Sequence, residues 1–240
     1  MSLQIRLSAI TFVILSLANV ASAADTELAV FYSFDIAPSA HVTADLQTEL
    51  SRVLAPSRLR VDWRPIGDET PEDFSDLVVI RFRGACVEAP GEENRTGDNH
   101  LGETEVVEGH VISFADVRCD ELRRYLGGNG SMGRAMARVA AHEIYHMLTG
   151  SVVHGRAGIA RAEHSRAELS ADTFDFAPTD MAWLKQWAER RAQPESARVS
   201  TGQRRISRNA GSGTLALLRA AGVAQTPLSQ PRPSINTQLR

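Results

Sequence analysis

The chain has 240 residues, 43% of them hydrophobic, and a formal net charge of −3. That length and composition suit one globular domain with some appended sequence. The charge is too small to imply a nucleic-acid or polyanion partner.

The first 23 residues read as a signal peptide. Arg6 supplies a positive n-region, Leu7 to Val20 an apolar h-region, and Ala21-Ser22-Ala23 a small-x-small cleavage site. The apolar run is shorter than the roughly 20 residues a spanning helix needs, so an anchor is the weaker reading. The mature protein is expected to be secreted or periplasmic, with no stable membrane insertion after cleavage.

Residues 24–192 read as the folded domain. Glu27 to Phe34 is rich in strand formers. Val42, Leu46, Leu50 and Val53 stand at helical spacing, and Pro56 ends that helix. Leu59 to Ile66 alternates as a strand. Leu77-Val78-Val79-Ile80 is a nearly continuous apolar run, which predicts a strand buried on both faces. Gly84 to His100 is a polar loop. Thr104 to Phe114 reads as a strand or hairpin at the edge of a cleft, where an extended peptide could add as a further strand. A short helix, Asp120 to Leu126, and a glycine turn lead to Ser131, a candidate N-cap. The fold class this order predicts is α+β: a mixed twisted sheet with a packed helix, then a long helix and a small C-terminal subdomain.

Cys86 and Cys119 are the two cysteines. In an exported protein an even pair reads as a disulfide, with two buried thiols as the competing reading. From residue 193 the composition turns to Pro, Ser, Gln, Arg and Gly, so 193–240 is predicted to be a largely disordered tail.

The chemistry centres on Ala141-His142-Glu143-Ile144-Tyr145-His146, which reads H-E-x-x-H. Residues four apart share a helix face, so His142 and His146 can hold one metal ion, with Glu143 close to a water on it. Met132, Ala135, Met136, Val139 and Met147 fall on the same half of the helix. Arg134, Arg138 and Tyr145 fall on the other. The histidines are thus expected on an apolar inward face, where a metal satisfies them. Gly150 reads as the helix stop. Glycines at 150, 155 and 158 let the chain reverse and bring His154 back under the helix. A catalytic zinc takes three protein ligands and leaves a fourth position for water. His154 is the favoured third ligand. Glu168, in an E-x-x-x-D pattern with Asp172, is the rival, and His164 a fallback.

His142-Glu143-Ile144-Tyr145-His146, then Gly150, then His154-Gly155 resembles the metzincin group of zinc metallopeptidases, within the zincin superfamily. The interval from the second to the third His is longer than that group's. The resemblance implies a zincin-like fold, Zn²⁺ held by His142, His146 and His154, and Glu143 as general base. It also implies a methionine turn beneath the metal. Ala160 stands where that methionine is expected, and Met181 is a more distant candidate. The expected function is exported zinc metalloendopeptidase, hydrolysing a peptide or protein substrate. Two alternatives stay open: a secreted zincin-like binding domain with a structural or vestigial metal, and a zinc amidase acting on cell-wall peptides. The sequence leaves the oligomeric state open.

Overall fold

A computed structural model describes residues 25–67, 74–88, 100–128 and 130–193. The expected signal peptide, the tip of the polar loop and all but the first residue of the expected tail lie outside them.

The first strand, β1 (Thr26–Ile36), leads into helix α1 (Ala40–Leu54). Ser39 caps α1, its hydroxyl oxygen accepting from the Val42 amide at 3.3 Å. A short 3₁₀ turn carries the chain to β2 (Leu59–Pro65), which pairs parallel to β1. β3 (Leu77–Ala85) pairs parallel to the other side of β1. The expected edge hairpin is present as β4 (Gly102–Val107) and β5 (His110–Arg118), with β5 parallel to β3. The sheet order is β2-β1-β3-β5-β4, so β4 is an antiparallel edge on an otherwise parallel sheet. The α+β expectation, a mixed sheet with helices packed on it, describes this architecture.

The expectation of a doubly buried third strand is corrected. Val78, Ile80 and Phe82 are buried, whereas Leu77 is 42% exposed and Val79 and Arg81 are only partly covered. Among the described residues, helices cover one face alone. On the other, Arg81 pairs with Asp116 at 2.8 Å and lies over the Phe114 ring. Apolar residues at the outward positions hide the alternation that a half-buried strand normally displays.

Helix α2 (Cys119–Leu126) begins at the disulfide, and Cys86 and Cys119 are bonded as expected. The closed loop of this length stabilises the fold by about 3–4 kcal/mol on the chain-entropy account. Helix α3 (Met132–Thr149) then crosses the sheet against α1. Gly133 makes that approach possible: a Cβ there would stand 2.3 Å from the Val42 carbonyl oxygen of α1. A short helix α4 (Arg166–Ser170) and the last helix α5 (Pro178–Ala192) close the domain.

The division of α3 into an inward and an outward half also needs correction. Arg138, expected opposite the histidines, is fully buried. It donates to Glu49 of α1 at 2.8 Å and to the Glu168 and Leu169 carbonyls at 2.8 and 3.0 Å. With β4 and β5 on one side and α1 and α4 on the other, α3 has no broad solvent face.

Candidate metal centre

Helix α3 is fixed at both ends by the residues the sequence offers. The Ser131 hydroxyl oxygen accepts from the Arg134 amide at 3.2 Å and donates its proton to Asp45 at 2.6 Å. Gly150 adopts φ 60°, a left-handed conformation that suits glycine, and its amide donates to the His146 carbonyl. The chain reverses there. Gly158, at φ 65°, repeats the device where a Cβ would meet the Asp175 carbonyl at 2.4 Å.

That reversal does two things. It brings His154 beside the helix, its ring 5.3 Å from that of His142 and 4.8 Å from that of His146. It also aims two carbonyls at the helix: Ile159 O lies 2.7 Å from His142 Nδ1, and Ser151 O lies 2.7 Å from His146 Nδ1. A carbonyl oxygen only accepts, so each Nδ1 carries the proton and each neutral ring presents a bare Nε2. The two Nε2 atoms face one another at 3.0 Å. Two lone pairs at that distance repel unless a cation lies between them. His154 adds a buried Nε2 without a hydrogen-bond partner. One ligand atom from each of the three histidines falls within 4.8 Å of the others. The donor set therefore fits a divalent metal that accepts imidazole nitrogen.

Burial keeps these rings neutral. It holds His142 well below the ordinary 6.5, with His146 beside it adding to the effect. It pushes His146 down to about 4, against the opposing bond to Ser151, and it lowers His154 as well. Neutral imidazole is the form that ligates metal.

Glu143 is also fully buried. Burial pushes its carboxyl up to about 8, opposed by a hydrogen bond from the Thr104 hydroxyl to Oε2 at 2.6 Å. Its Oε1 has no partner. A carboxyl with a raised pKa beside a cluster that could hold a metal is suited to moving a proton.

The rival ligand, Glu168, is engaged elsewhere. Its Oε2 accepts from the Ser165 amide at 2.7 Å and the Ser165 hydroxyl at 2.8 Å, closing a capping box on α4, and from Arg161 at 2.7 Å. Asp172 is fully exposed and paired with Arg134. His164 is buried and packs edge-on against His142, ring centroids 5.6 Å apart. Its Nε2 lies 3.2 Å from the Gly158 carbonyl, within the turn that orients His142. Ala160 is buried in that turn and its carbonyl accepts from the Gly155 amide at 2.8 Å. No methionine stands at that position, and His164 with Phe174 supplies the packing around the turn. The Tyr145 hydroxyl is turned to Asp180 at 3.4 Å.

Sequence reasoning did not single out Thr104 or Gly102. Thr104 is 39 positions from Glu143 and carries no local signal. Gly102 carries a faint one, since a glycine in a strand often marks close backbone approach.

The chain matches no family model, and no curated protein matches it in sequence. Its structure is similar to the crystal structure of an archaemetzincin from Methanopyrus kandleri. The TM-score is 0.42 and the sequence identity 12%, over 70% of this chain and 97% of that one.

Proposed function

We propose that this protein is an exported zinc-dependent metallopeptidase. The observation that carries the reading is the pair of bare Nε2 atoms 3.0 Å apart on α3, with His154 brought alongside and Glu143 next in the chain. His142, His146 and His154 would hold Zn²⁺, their Nδ1 protons or surroundings fixing which nitrogen faces it. Bound zinc would acidify a water and polarise the scissile carbonyl. Glu143 would take the attacking water's proton and return it to the leaving amine, so that the C–N bond breaks without releasing a charged amide. Export rests on the n-region, h-region and cleavage site of residues 1–23. The Cys86–Cys119 disulfide favours it, and among the described residues no helix is long and apolar enough to cross a membrane. The substrate would be a peptide or protein.

The test is Glu143→Ala in the zinc-loaded protein, assayed on casein and a peptide library. Zinc content should stay at the parent's value while hydrolysis falls about 10²–10⁴-fold. A variant that cleaves as fast as the parent overturns the mechanism. The complete burial of His142 and Glu143 gives one specific reason to keep a second reading, a zincin-like binding domain with a structural metal. Zinc-loaded parent that is inert on every peptide would favour it. Turnover of peptidoglycan alone would favour the cell-wall amidase.

A further inference from the structure

Glu143 is held from outside its own helix. Its Oε2 accepts the Thr104 hydroxyl proton at 2.6 Å, a short O–H···O bond. The same hydroxyl lies 3.4 Å from the Glu143 carbonyl oxygen, too far to compete. Thr104 is β-branched and sits in a strand, so its χ1 is restricted and the hydroxyl cannot swing away cheaply. It is also buried. Two residues earlier, Gly102 passes over the other carboxylate oxygen. A Cβ on Gly102 would stand 2.4 Å from Glu143 Oε1 and 2.8 Å from Val139 Cγ1. No positive φ is required there, so space alone dictates glycine.

The start of β4 is itself anchored. The Arg118 amide donates to the Leu101 carbonyl at 2.8 Å, and the Arg118 side chain pairs with Glu103 at 3.0 Å. The β4–β5 register shifts between Thr104 and Val106. Such irregularities re-aim side chains near functional sites. The two oxygens of Glu143 are therefore made unequal: Oε2 is tied to the strand, and Oε1 has no donor.

We propose that β4 is a positioning strand for Glu143. Thr104 is the positioning residue that fixes Oε2, and Gly102 gives the backbone room that leaves Oε1 as the oxygen accepting the water's proton. This rests on the metallopeptidase reading for its chemical purpose, but the placement of the carboxylate is testable without it.

The experiment uses the full zinc-loaded chain and three variants. Thr104→Val keeps the shape and removes the hydroxyl. It should bind zinc at the parent's stoichiometry and lose about 10–100-fold in kcat with KM little changed. Thr104→Ser restores the hydroxyl and should recover most of that loss, which a purely structural role would not predict. Gly102→Ala should lower kcat as well, because the strand or the carboxylate must move. A crystal structure of zinc-loaded Thr104→Val supplies the readout independent of activity: the Glu143 carboxylate should leave its parent position by more than about 0.5 Å. An unmoved carboxylate, or a Thr104→Val enzyme with the parent's kcat, overturns the proposal. An inert parent whose Thr104→Val structure shows the carboxylate displaced would sink the peptidase reading and leave the clamp standing.

Discussion

The two sides of α3 bury ionisable groups in opposite ways. Toward α1 and α4, Arg138 is fully enclosed: its Nε donates to Glu49 and its Nη1 to two carbonyls, while its Nη2, without a hydrogen-bond partner, is charge-paired with the Glu49 carboxylate at 2.8 Å. Glu49 in turn accepts from Arg52 at 2.8 and 2.9 Å. Burial pushes the Glu49 carboxyl up, but the bonds from Arg52 and Arg138 outweigh it and hold the group below its ordinary value. Toward β4 and the 150–164 reversal, His142, His146 and Glu143 are just as enclosed and His154 partly so, but their polar atoms are left incomplete. Two Nε2 atoms face each other, His154 Nε2 and Glu143 Oε1 have no partner, and Glu143 is pushed toward its neutral form. One helix thus carries a network satisfied by charge pairing and one left unpaired, about a helix diameter apart. Unsatisfied buried polar groups cost free energy, and Glu143 Oε1, His154 Nε2 and His164 Nδ1 fall together on this side, an arrangement that a bound ligand would complete.

The contrast can be broken first on the satisfied side. Glu49→Ala leaves Arg138 without a carboxylate and with no route to water, while Arg52 keeps its pair with Asp175 at 2.6 Å. Breaking a buried pair in this way should destabilise the fold by about 3–5 kcal/mol. Urea denaturation of the metal-free protein measures it. His146→Ala should behave in the reverse manner: it relieves the 3.0 Å contact with His142 and costs less stability in the metal-free protein, but it should eliminate tight zinc binding. If the two variants lose similar stability without metal, the proposed difference between the faces is wrong.

Much of the unsatisfied side was legible in the sequence, and little of the satisfied side was. Ser131, Gly150 and the four-residue spacing of His142 and His146 are local signals. They locate α3 and the shared face, and the structure puts His154 alongside, as the glycines at 150, 155 and 158 suggest. The Ser165–Glu168 capping box is a local pattern too, but sequence reasoning did not draw on it and set Glu168 beside Asp172 as a rival ligand; the structure accounts for Glu168 without a metal. Arg138 was not legible, because periodicity assumes a helix with one wet side. A helix enclosed between a sheet and another helix gives no such pattern, and the clue to that enclosure, Gly133, is a single residue. Thr104 and the outward side of β3 escaped for a related reason: both depend on contacts between segments distant in the chain, and local pattern does not encode them.

Acid should act on the histidine side. His146 and His164 are both held down to about 4 by burial, from an ordinary 6.5. Between those values the unfolded chain binds protons that the folded chain refuses. Stability of the metal-free protein is therefore fully present above about pH 6.5 and is lost as pH falls toward 4. Each group contributes up to about 3 kcal/mol. On the proposed reading zinc would occupy the nitrogen that is protonated on His146 but not the one on His164, so zinc should remove only part of the acid sensitivity. Thermal melts from pH 7 to pH 4, with and without zinc, check this. A metal-free melting temperature that stays flat across that range contradicts the burial argument.

Glu143 should act with the opposite sign. Its folded carboxyl titrates near 8 against an ordinary 4.5, so the folded chain holds a proton that the unfolded chain has released. Stability is lost as pH rises through that interval, the reverse of the histidines. Glu143→Gln removes the ionisation while leaving a carbonyl oxygen to accept from Thr104. The metal-free variant should thus be more stable than the parent at pH 8 and not at pH 5. The gain is on the order of 2 kcal/mol, less than the full shift implies, because a glutamine amide would lie beside Gly102 with its protons unpaired. Bound zinc changes the comparison, since a cation beside the carboxylate favours its charged form. With zinc present the advantage of Glu143→Gln should shrink or vanish at pH 8. A variant that stabilises the zinc-loaded and metal-free proteins equally would show that the cost of burying Glu143 is unrelated to the metal, and the two sides of α3 would then differ in packing alone.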